Sequence, residues 1–512
     1  EDISKWDVSN VTNMCNMFSS AESFDQSLCC WDVSNVTNMN LMFTGCEKFN
    51  QHLDNWNVSN VENMGFMLSG CSDFNQNLNE WNISNVENMG GIFSGCKNFN
   101  QPLNNWNVSN VVNMGDMFAN CDIFNQPLNN WDVSNVEDMS WMLKGCDDFN
   151  QPLDKWDVSK VVNMFGILQE CINFNQNISN WNVSSVEIMD YMFYTCENFN
   201  QPLNNWDVSN VKTMNNMFLE CKNFNQPLNN WNVSNVTEMK FIFSGCENFN
   251  QPLNDWNVSN VTNMKDVFWN CHIFNQPLNN WDVSNVTDTH GMFTNCTKFN
   301  QPLNEWDVSN VVDMSHMFGE CENFNQPLNK WNVSNVQNML FMFNNCHIFN
   351  QSLNDWNISN VTTMENMFSN CKKFNQPLNN WDVSNCDLMS CMFEGCEEFN
   401  QDLNDWDVSN CGSIVNMFMK CNHYNYKKHA KWYDKDYDFD EFVDARNSWG
   451  WAETNNPDEY DSGNSDDIDD SDGIVSDDND DSDDSDDSDD SDDSDDSIDA
   501  ALGLALAHIL LE

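Results

Sequence analysis

Trp6, Trp31, Trp56 and Trp81 stand 25 residues apart, and the series runs without a slip to Trp406. One 25-residue unit is thus copied 17 times across residues 1–425. So short a unit cannot bury an apolar face alone. Strict repetition at this period therefore specifies a solenoid, in which each rung is covered by its neighbours. A well-formed copy runs from Gln201 to Asn225: Q-P-L-N-N-W-D-V-S-N-V-K-T-M-N-N-M-F-L-E-C-K-N-F-N.

Each copy has two halves with different apolar periods. In the first, Trp206 and Val208 are two apart, which places both on one side of an extended strand with Asp207 on the other. In the second, Val211, Met214, Met217, Phe218 and Cys221 are spaced three, three, one and three, which predicts one face of a short helix. Ser209 lies between the halves, and all 17 copies have Ser there, so it reads as the helix N-cap. Glu three residues on completes a capping box at Ser59/Glu62, Ser84/Glu87, Ser134/Glu137 and Ser184/Glu187. The residue before the repeating Cys is Gly in six copies, as at Gly45, and Asn in five, as at Asn120. Both tolerate the left-handed conformation of a C-cap. The return segment F-N-Q-P-L carries a Pro compatible with an extended turn and not with a helix interior.

Stacking places like on like, roughly 4.8 Å apart, so the rungs would span about 80 Å. Leu, Trp, Val, Val, Met, Met, Phe, Cys and Phe recur in most copies and supply one continuous apolar core. The Asn column from Asn50 to Asn425 reads as a structural device, its stacked amides satisfying turn backbone groups.

The pattern L-x-x-W-x-V-S-N-V-x-x-M-x-x-M-F-x-x-C-x-x-F-N-Q resembles the BspA-like leucine-rich-repeat surface proteins. It is most similar to their 25-residue subtype of unknown function, found in mycoplasma lipoproteins, lactobacillus surface proteins, and giant-virus and marine-protist arrays. The likeness covers residues 1–425. It implies a leucine-rich-repeat-like α/β solenoid, a right-handed stack of rungs each with a short parallel strand and a short helix, displayed on a cell or particle surface. It implies no enzyme activity and transfers no catalytic residue. The Asp/Ser tail departs from the bacterial members, so their anchoring is not carried over.

Lys and Arg total 20 against 79 Asp and Glu, a net charge of −59. That makes nucleic acid a poor partner, because phosphates need basic neutralisation. It equally disfavours an anionic membrane surface. The longest apolar run lies near the C-terminus and is far short of the ~20 residues of a spanning helix. Glu1 already sits inside a repeat, so the chain reads as a fragment or processed product. An artificial start there would leave an open first rung, expected to associate end to end.

Of the 22 cysteines, 16 occupy one repeat position from Cys46 to Cys421, and Cys386 and Cys411 replace a core Val. This is the behaviour of a small buried hydrophobe. Side chains in register on parallel rungs point side by side, which opposes a chain of disulfides. No C-x-x-C exists for zinc. Buried free thiols lean toward synthesis in a reducing compartment. Cys15, Cys29 and Cys30 lie off this column near the N-terminal end and form the candidate reactive set.

Residues 426–460 break the repeat with Trp432, Tyr433, Tyr437, Phe439, Phe442, Trp449 and Trp451, and read as a C-terminal cap, helical around Tyr437 to Arg446. A sugar-binding aromatic cluster is the alternative. Residues 461–497 are Asp/Ser low complexity and are expected to be disordered. Residues 426–512 hold 31 acidic and 5 basic residues, a net of −26. Asp470, Asp472 and Gly473 imitate an EF-hand loop, but Ile468 and Asn479 occupy its first and last ligand positions, so only weak divalent binding is expected. Residues 498–512 read as a short apolar helix, docking or frayed.

The eight histidines scatter, and no Ser–His–Asp arrangement, phosphate loop or H-E-x-x-H is apparent. No catalytic residue, cofactor or metal site is expected, and function must sit on surfaces. One surface offers a regular carpet such as Asp207 and Ser209, suited to a repetitive ligand or merely solvated. The other varies between copies: Phe66, Trp141, Tyr191, Phe241 and Phe341 share one repeat position, as contact anchors or as filling between rungs. The expected function is surface adhesion or recognition through a protein or glycan partner. The alternatives are an intracellular interaction scaffold, which the free thiols favour, and a structural component of a virion or cell coat.

Overall fold

The computed structural model describes residues 2–433. Each rung is numbered below so that its tryptophan is position 6. All nine recurring apolar residues are buried: in the rung of Trp206, none of Leu203, Trp206, Val208, Val211, Met214, Met217, Phe218, Cys221 and Phe224 exceeds 3% exposure. They form one core cluster continuous from Ile3 to Ala430.

The predicted alternation of strand and helix is corrected. Among the described residues the one α-helix is α1, Tyr426–His429, outside the repeats. Val11 to Cys-position 21, the expected helix, is instead the segment that pairs rung to rung. Met14, Asn16, Phe18 and Ser20 donate their N–H groups to the carbonyls of Asn38, Asn40, Met42 and Thr44 at 2.6–3.0 Å. Met17 and Ser19 between them, and Ala21 just after, donate back three residues, to Met14, Asn16 and Phe18. An unbroken series of parallel bridges, from Asn13↔Asn38 to Leu388↔Ser413, opens this ladder in every rung.

The physical cause is a pair of left-handed residues per rung. Position 16 and position 20 have positive φ throughout, for example Leu41 (58°) and Gly45 (73°), Asp116 (56°) and Asn120 (57°). Each one reverses the sense of the turn, so a continuous run of i→i−4 bonds cannot form. Alternate N–H groups point along the stack, and the others close tight turns. The three-residue spacing of the apolar positions satisfies this train of turns as well as it satisfies a helix. The Gly and Asn residues before the Cys are left-handed as expected.

The first half of the rung does bury Trp and Val together, but it carries no backbone ladder. Side chains make its inter-rung bonds. The Trp56 indole N–H donates to the Leu28 carbonyl at 3.1 Å, and the Asn60 amide donates to the Ser34 carbonyl at 2.7 Å. The Asn75 N–H and the Gln76 amide both donate to Asn50 Oδ1, at 3.0 and 2.8 Å. The expected Asn ladder is therefore present, and Gln at position 1 completes it. Ser209 is not an N-cap: its own N–H donates to Asp207 Oδ1 at 3.1 Å, an Asx turn.

Adjacent Trp rings lie 6.2–6.5 Å apart, and the position-24 Phe rings from Phe49 to Phe399 lie 6.0–6.2 Å apart. Hydrogen-bonded parallel segments are only about 4.8 Å apart. Successive rungs therefore splay from ladder to Trp column, and the stack bends with the ladder inside.

The column cysteines are buried, and each thiol donates to a carbonyl of the preceding rung, as Cys71 does to Phe43 at 3.2 Å. At the C-terminal end Trp432 adds a ring to the Trp column, 6.2 Å from Trp406, and donates to the Leu403 carbonyl at 2.8 Å. Trp6, at the other end, is 48% exposed. Residues 434–512 lie outside the described residues, and with them most of the expected cap, including Tyr437 to Arg446, the Asp/Ser segment and the C-terminal apolar segment.

The Asn ladder yields a prediction. Asn100 Oδ1 accepts from the Asn125 N–H at 3.1 Å and the Gln126 amide at 2.9 Å. Asn100→Ala strands the Asn125 N–H, while the Gln126 amide keeps its second bond, to the Asn100 carbonyl at 3.1 Å, and the change should lower unfolding free energy by about 1–3 kcal/mol in chemical denaturation. Asn100→Asp should stay near wild type, because Asp25 already plays this part for Asn50 and Gln51.

Candidate functional site

On the ladder side the apolar positions repeat while positions 12, 13, 15, 16, 19 and 20 vary between rungs, and aromatics occur at 15, 16 and 19. Position 16 is left-handed, a conformation costly for a bulky side chain. Even so, Phe66 (φ 52°), Trp141 (51°), Tyr191 (57°), Phe241 (59°) and Phe341 (54°) all adopt it. Phe66 and Trp141 are 39% and 36% exposed, and the other three are half-buried.

The structure joins four of these five aromatics to partners that the repeat position alone does not single out. Trp141 meets Phe165 edge-on at 4.8 Å, Phe165 meets Tyr191 at 5.2 Å, and Tyr191 meets Tyr194 at 5.9 Å. This makes a continuous aromatic strip over three rungs. Phe341 stacks on His316 at 4.8 Å, which meets His290 at 5.4 Å. Phe241 lies under Lys265 Nζ at 5.8 Å. Two aromatics need a glycine in the next rung. A Cβ on Gly166 would stand 2.6 Å from Trp141, and one on Gly91 would overlap the Phe66 ring. That signal was available in the sequence: an aromatic at position 16 followed 25 residues later by Gly.

Ionisable groups share this concave face. Burial raises the Asp266 carboxyl to about 7, with Lys265 opposing and Asp288 reinforcing the shift. Burial lowers His316 to about 4, helped by the neighbouring His290. His290 Nδ1 lies 2.7 Å from Ser315 Oγ, which donates to Asp313 Oδ1 at 2.5 Å. Ser, His and Asp are therefore brought together here, contrary to the expectation from sequence. The arrangement is not a nucleophile with its base. The serine proton goes to the carboxylate, so His290 Nδ1 must be the donor, and Ser315 is only 1% exposed.

Asp207 is exposed and Ser209 half-buried on another part of the rung, where the carboxylate is engaged by the Asx turn. Among the described residues, no group of three His, Cys, Asp or Glu side chains is placed to hold a metal, and no helix is long and apolar enough to cross a membrane. Cys29 and Cys30 are exposed with their sulfurs 3.6 Å apart. The Cys29 thiol is shifted down, first by a hydrogen bond from Ser27 and then by Cys30.

A stacked rung with a backbone ladder inside its bend, an apolar core behind it and a variable concave face defines a leucine-rich-repeat-like solenoid. The family described as "Mycoplasma protein of unknown function, DUF285" matches residues 1–97, 70–171, 146–255, 237–356 and 313–433, and the chain belongs to it. No curated protein matches. Among solved structures, the chain is similar to a leucine-rich repeat protein from Bacteroides ovatus, with 14% identity, 77% of this chain and 82% of that one covered, and a TM-score of 0.35. It is also similar to a leucine-rich cell surface protein from Faecalibacterium prausnitzii, with 13% identity, 54% and 77% covered, and a TM-score of 0.22.

Two predictions follow from this geometry. Asp266→Asn removes a carboxyl that the fold holds protonated well above its ordinary pKa. Between the unfolded value near 3.8 and the folded value near 7 the native state binds the extra proton, so wild-type stability falls as pH rises through that window. The variant's gain should be nil below pH 3.8, grow across the window and level off above 7, at no more than about 4 kcal/mol. Thermal melts across pH measure it. Separately, native-state alkylation should reach Cys29 and Cys30 within minutes, while the buried column thiols react only on unfolding.

Proposed function

We propose that this chain is a non-enzymatic recognition protein of a cell or particle surface, which holds a macromolecular partner, most simply another protein, against its concave face. The observation that carries this reading is the strip Trp141–Phe165–Tyr191–Tyr194. Aromatic anchors in partly exposed clusters are where binding energy concentrates. Backbone positions that disfavour bulky side chains nevertheless carry them here, and apolar packing of the core does not require it, since Asp116, Gly291 and Asn366 occupy the same rung position. Ligation of the partner by Phe66, Phe241 and Phe341 would extend the contact along the bend. Asp207 and Ser209 belong to a separate, solvated surface in this reading. Residues 1–425 form the recognition array in this reading.

Display is tested by applying an antibody against the repeats to intact and permeabilised source material. Labelling of intact material is expected; labelling only after permeabilisation overturns the reading. Recognition is tested by binding of the biotinylated full chain to that surface. Trp141→Ala with Phe165→Ala should weaken it at least tenfold, with the thermal midpoint held as the control for folding.

A further inference from the structure

We propose a second binding site, a trough between positions 23 and 25 of the rungs from Asn125 to Asn223, which takes a neutral, hydroxyl-rich polysaccharide. Its cavity is about 720 Å³, lined by Asn125, Asn150, Asn175 and Asn200 on one wall and by Asp148, Asn173, Asn198 and Asn223 on the other. No lining residue belongs to the concave ladder segment, and the proposal does not depend on the aromatic strip.

The two walls have opposite hydrogen-bonding character. On the position-25 wall each Oδ1 is fully used: Asn125 Oδ1 accepts from the Asn150 N–H at 3.1 Å and the Gln151 amide at 3.0 Å. Asn150 serves Asn175 and Gln176 in the same way at 3.0 and 2.9 Å, and Asn175 serves Asn200 and Gln201. This orients every amide alike and leaves its NH2 group without an acceptor among the described residues. The wall is a column of donors. On the position-23 wall the amides are turned over. Asn173 Nδ2 donates to the Asp147 carbonyl at 2.9 Å, and Asn198 Nδ2 donates to the Ile172 carbonyl at 3.0 Å. Their Oδ1 atoms, with the Asp148 carboxylate, are left as acceptors.

The Phe residues at position 24 form the buried spine between the walls and set their repeat at 6.0–6.2 Å. Exposed Ile123 and Ile273, each 41% exposed, mark the rungs where the acceptor wall stops. A carbohydrate hydroxyl both donates and accepts, so a chain of them pairs with both walls at once and in any register. An extended peptide repeats every ~6.6 Å over two residues and needs side-chain pockets, which this lining lacks. Anionic polymers are opposed by Asp148 and by the chain's net charge of −59.

The full chain should be retarded in native gels cast with at least one neutral polysaccharide from a set of mixed-linkage β-glucan, xyloglucan, dextran and mannan. A variant carrying Asn125→Asp, Asn150→Asp, Asn175→Asp and Asn200→Asp keeps each Oδ1 acceptor, as Asp25 does, and loses the donor wall. Its retardation, referred to a polymer-free gel, should fall at least tenfold. A second variant, Asn173→Ile with Asn198→Ile, introduces no charge, places the residue that Ile123 and Ile273 already carry at this position, and should fall likewise. Absence of retardation by all four polymers, or retardation unchanged in both variants, overturns the proposal. So does retardation confined to an anionic polymer or to an extended polypeptide.

Discussion

Everything in this molecule depends on the alternation of N–H directions between positions 14 and 20. Four N–H groups per rung leave for the next rung, and those at positions 17, 19 and 21 close turns within their own. Two left-handed residues make that alternation, and they recur in all 17 rungs. With them, a segment that is apolar at helical spacing becomes a stacking element. Without them, the same residues would satisfy their own backbone as a helix, and the rungs would lose this ladder.

The remainder of the rung has only isolated backbone bonds to its neighbour, at positions 12 and 23, and otherwise uses the side chain in place of the backbone. The Trp indole, the Asn at position 10, the Asn–Gln pair across the rung boundary and the Cys thiol each reach a polar group of the preceding rung. These four residue types therefore carry two duties, burial or solvation and the bonding of neighbours. That explains why a Cys that behaves as a core hydrophobe is still more than a space-filler. Its buried thiol has a carbonyl to donate to, and burial pushes it far above the ordinary thiol range, to about 11 at Cys46, so it stays protonated.

A stack whose core and bonds are so fully shared has little freedom left for function. The freedom lies outside the core and the ladder bonds, although an aromatic at position 16 still requires a glycine in the next rung at Phe66 and Trp141. Positions 15 and 16 on the concave face carry aromatics, histidines, lysines and carboxylates. Positions 22 and 23 vary along the outer return, beside a column of Asn that does not. The first of these becomes an aromatic strip, the second a polar trough. Each is assembled from residues a rung apart, at spacings that the stack imposes.

The period, the number of rungs, the core residues, the Asn ladder and the left-handed Gly or Asn before the Cys were all legible in the sequence, because each depends on chemistry repeated at one position. The five position-16 aromatics were legible too, as exceptions to the repeat. Their partners were not: Phe165 and His316 meet them across rungs, which follows from rung offset and splay, and Tyr194 meets Tyr191 within one rung only because the left-handed turn at position 16 brings position 19 beside it. The helix expected at Val211 to Cys221 failed for a related reason. Apolar spacing reports which side chains face the core, and a train of turns and a helix face it alike. Only the tertiary stack decided between them, because the N–H groups at positions 14, 16, 18 and 20 find their partners in the next rung and not in their own.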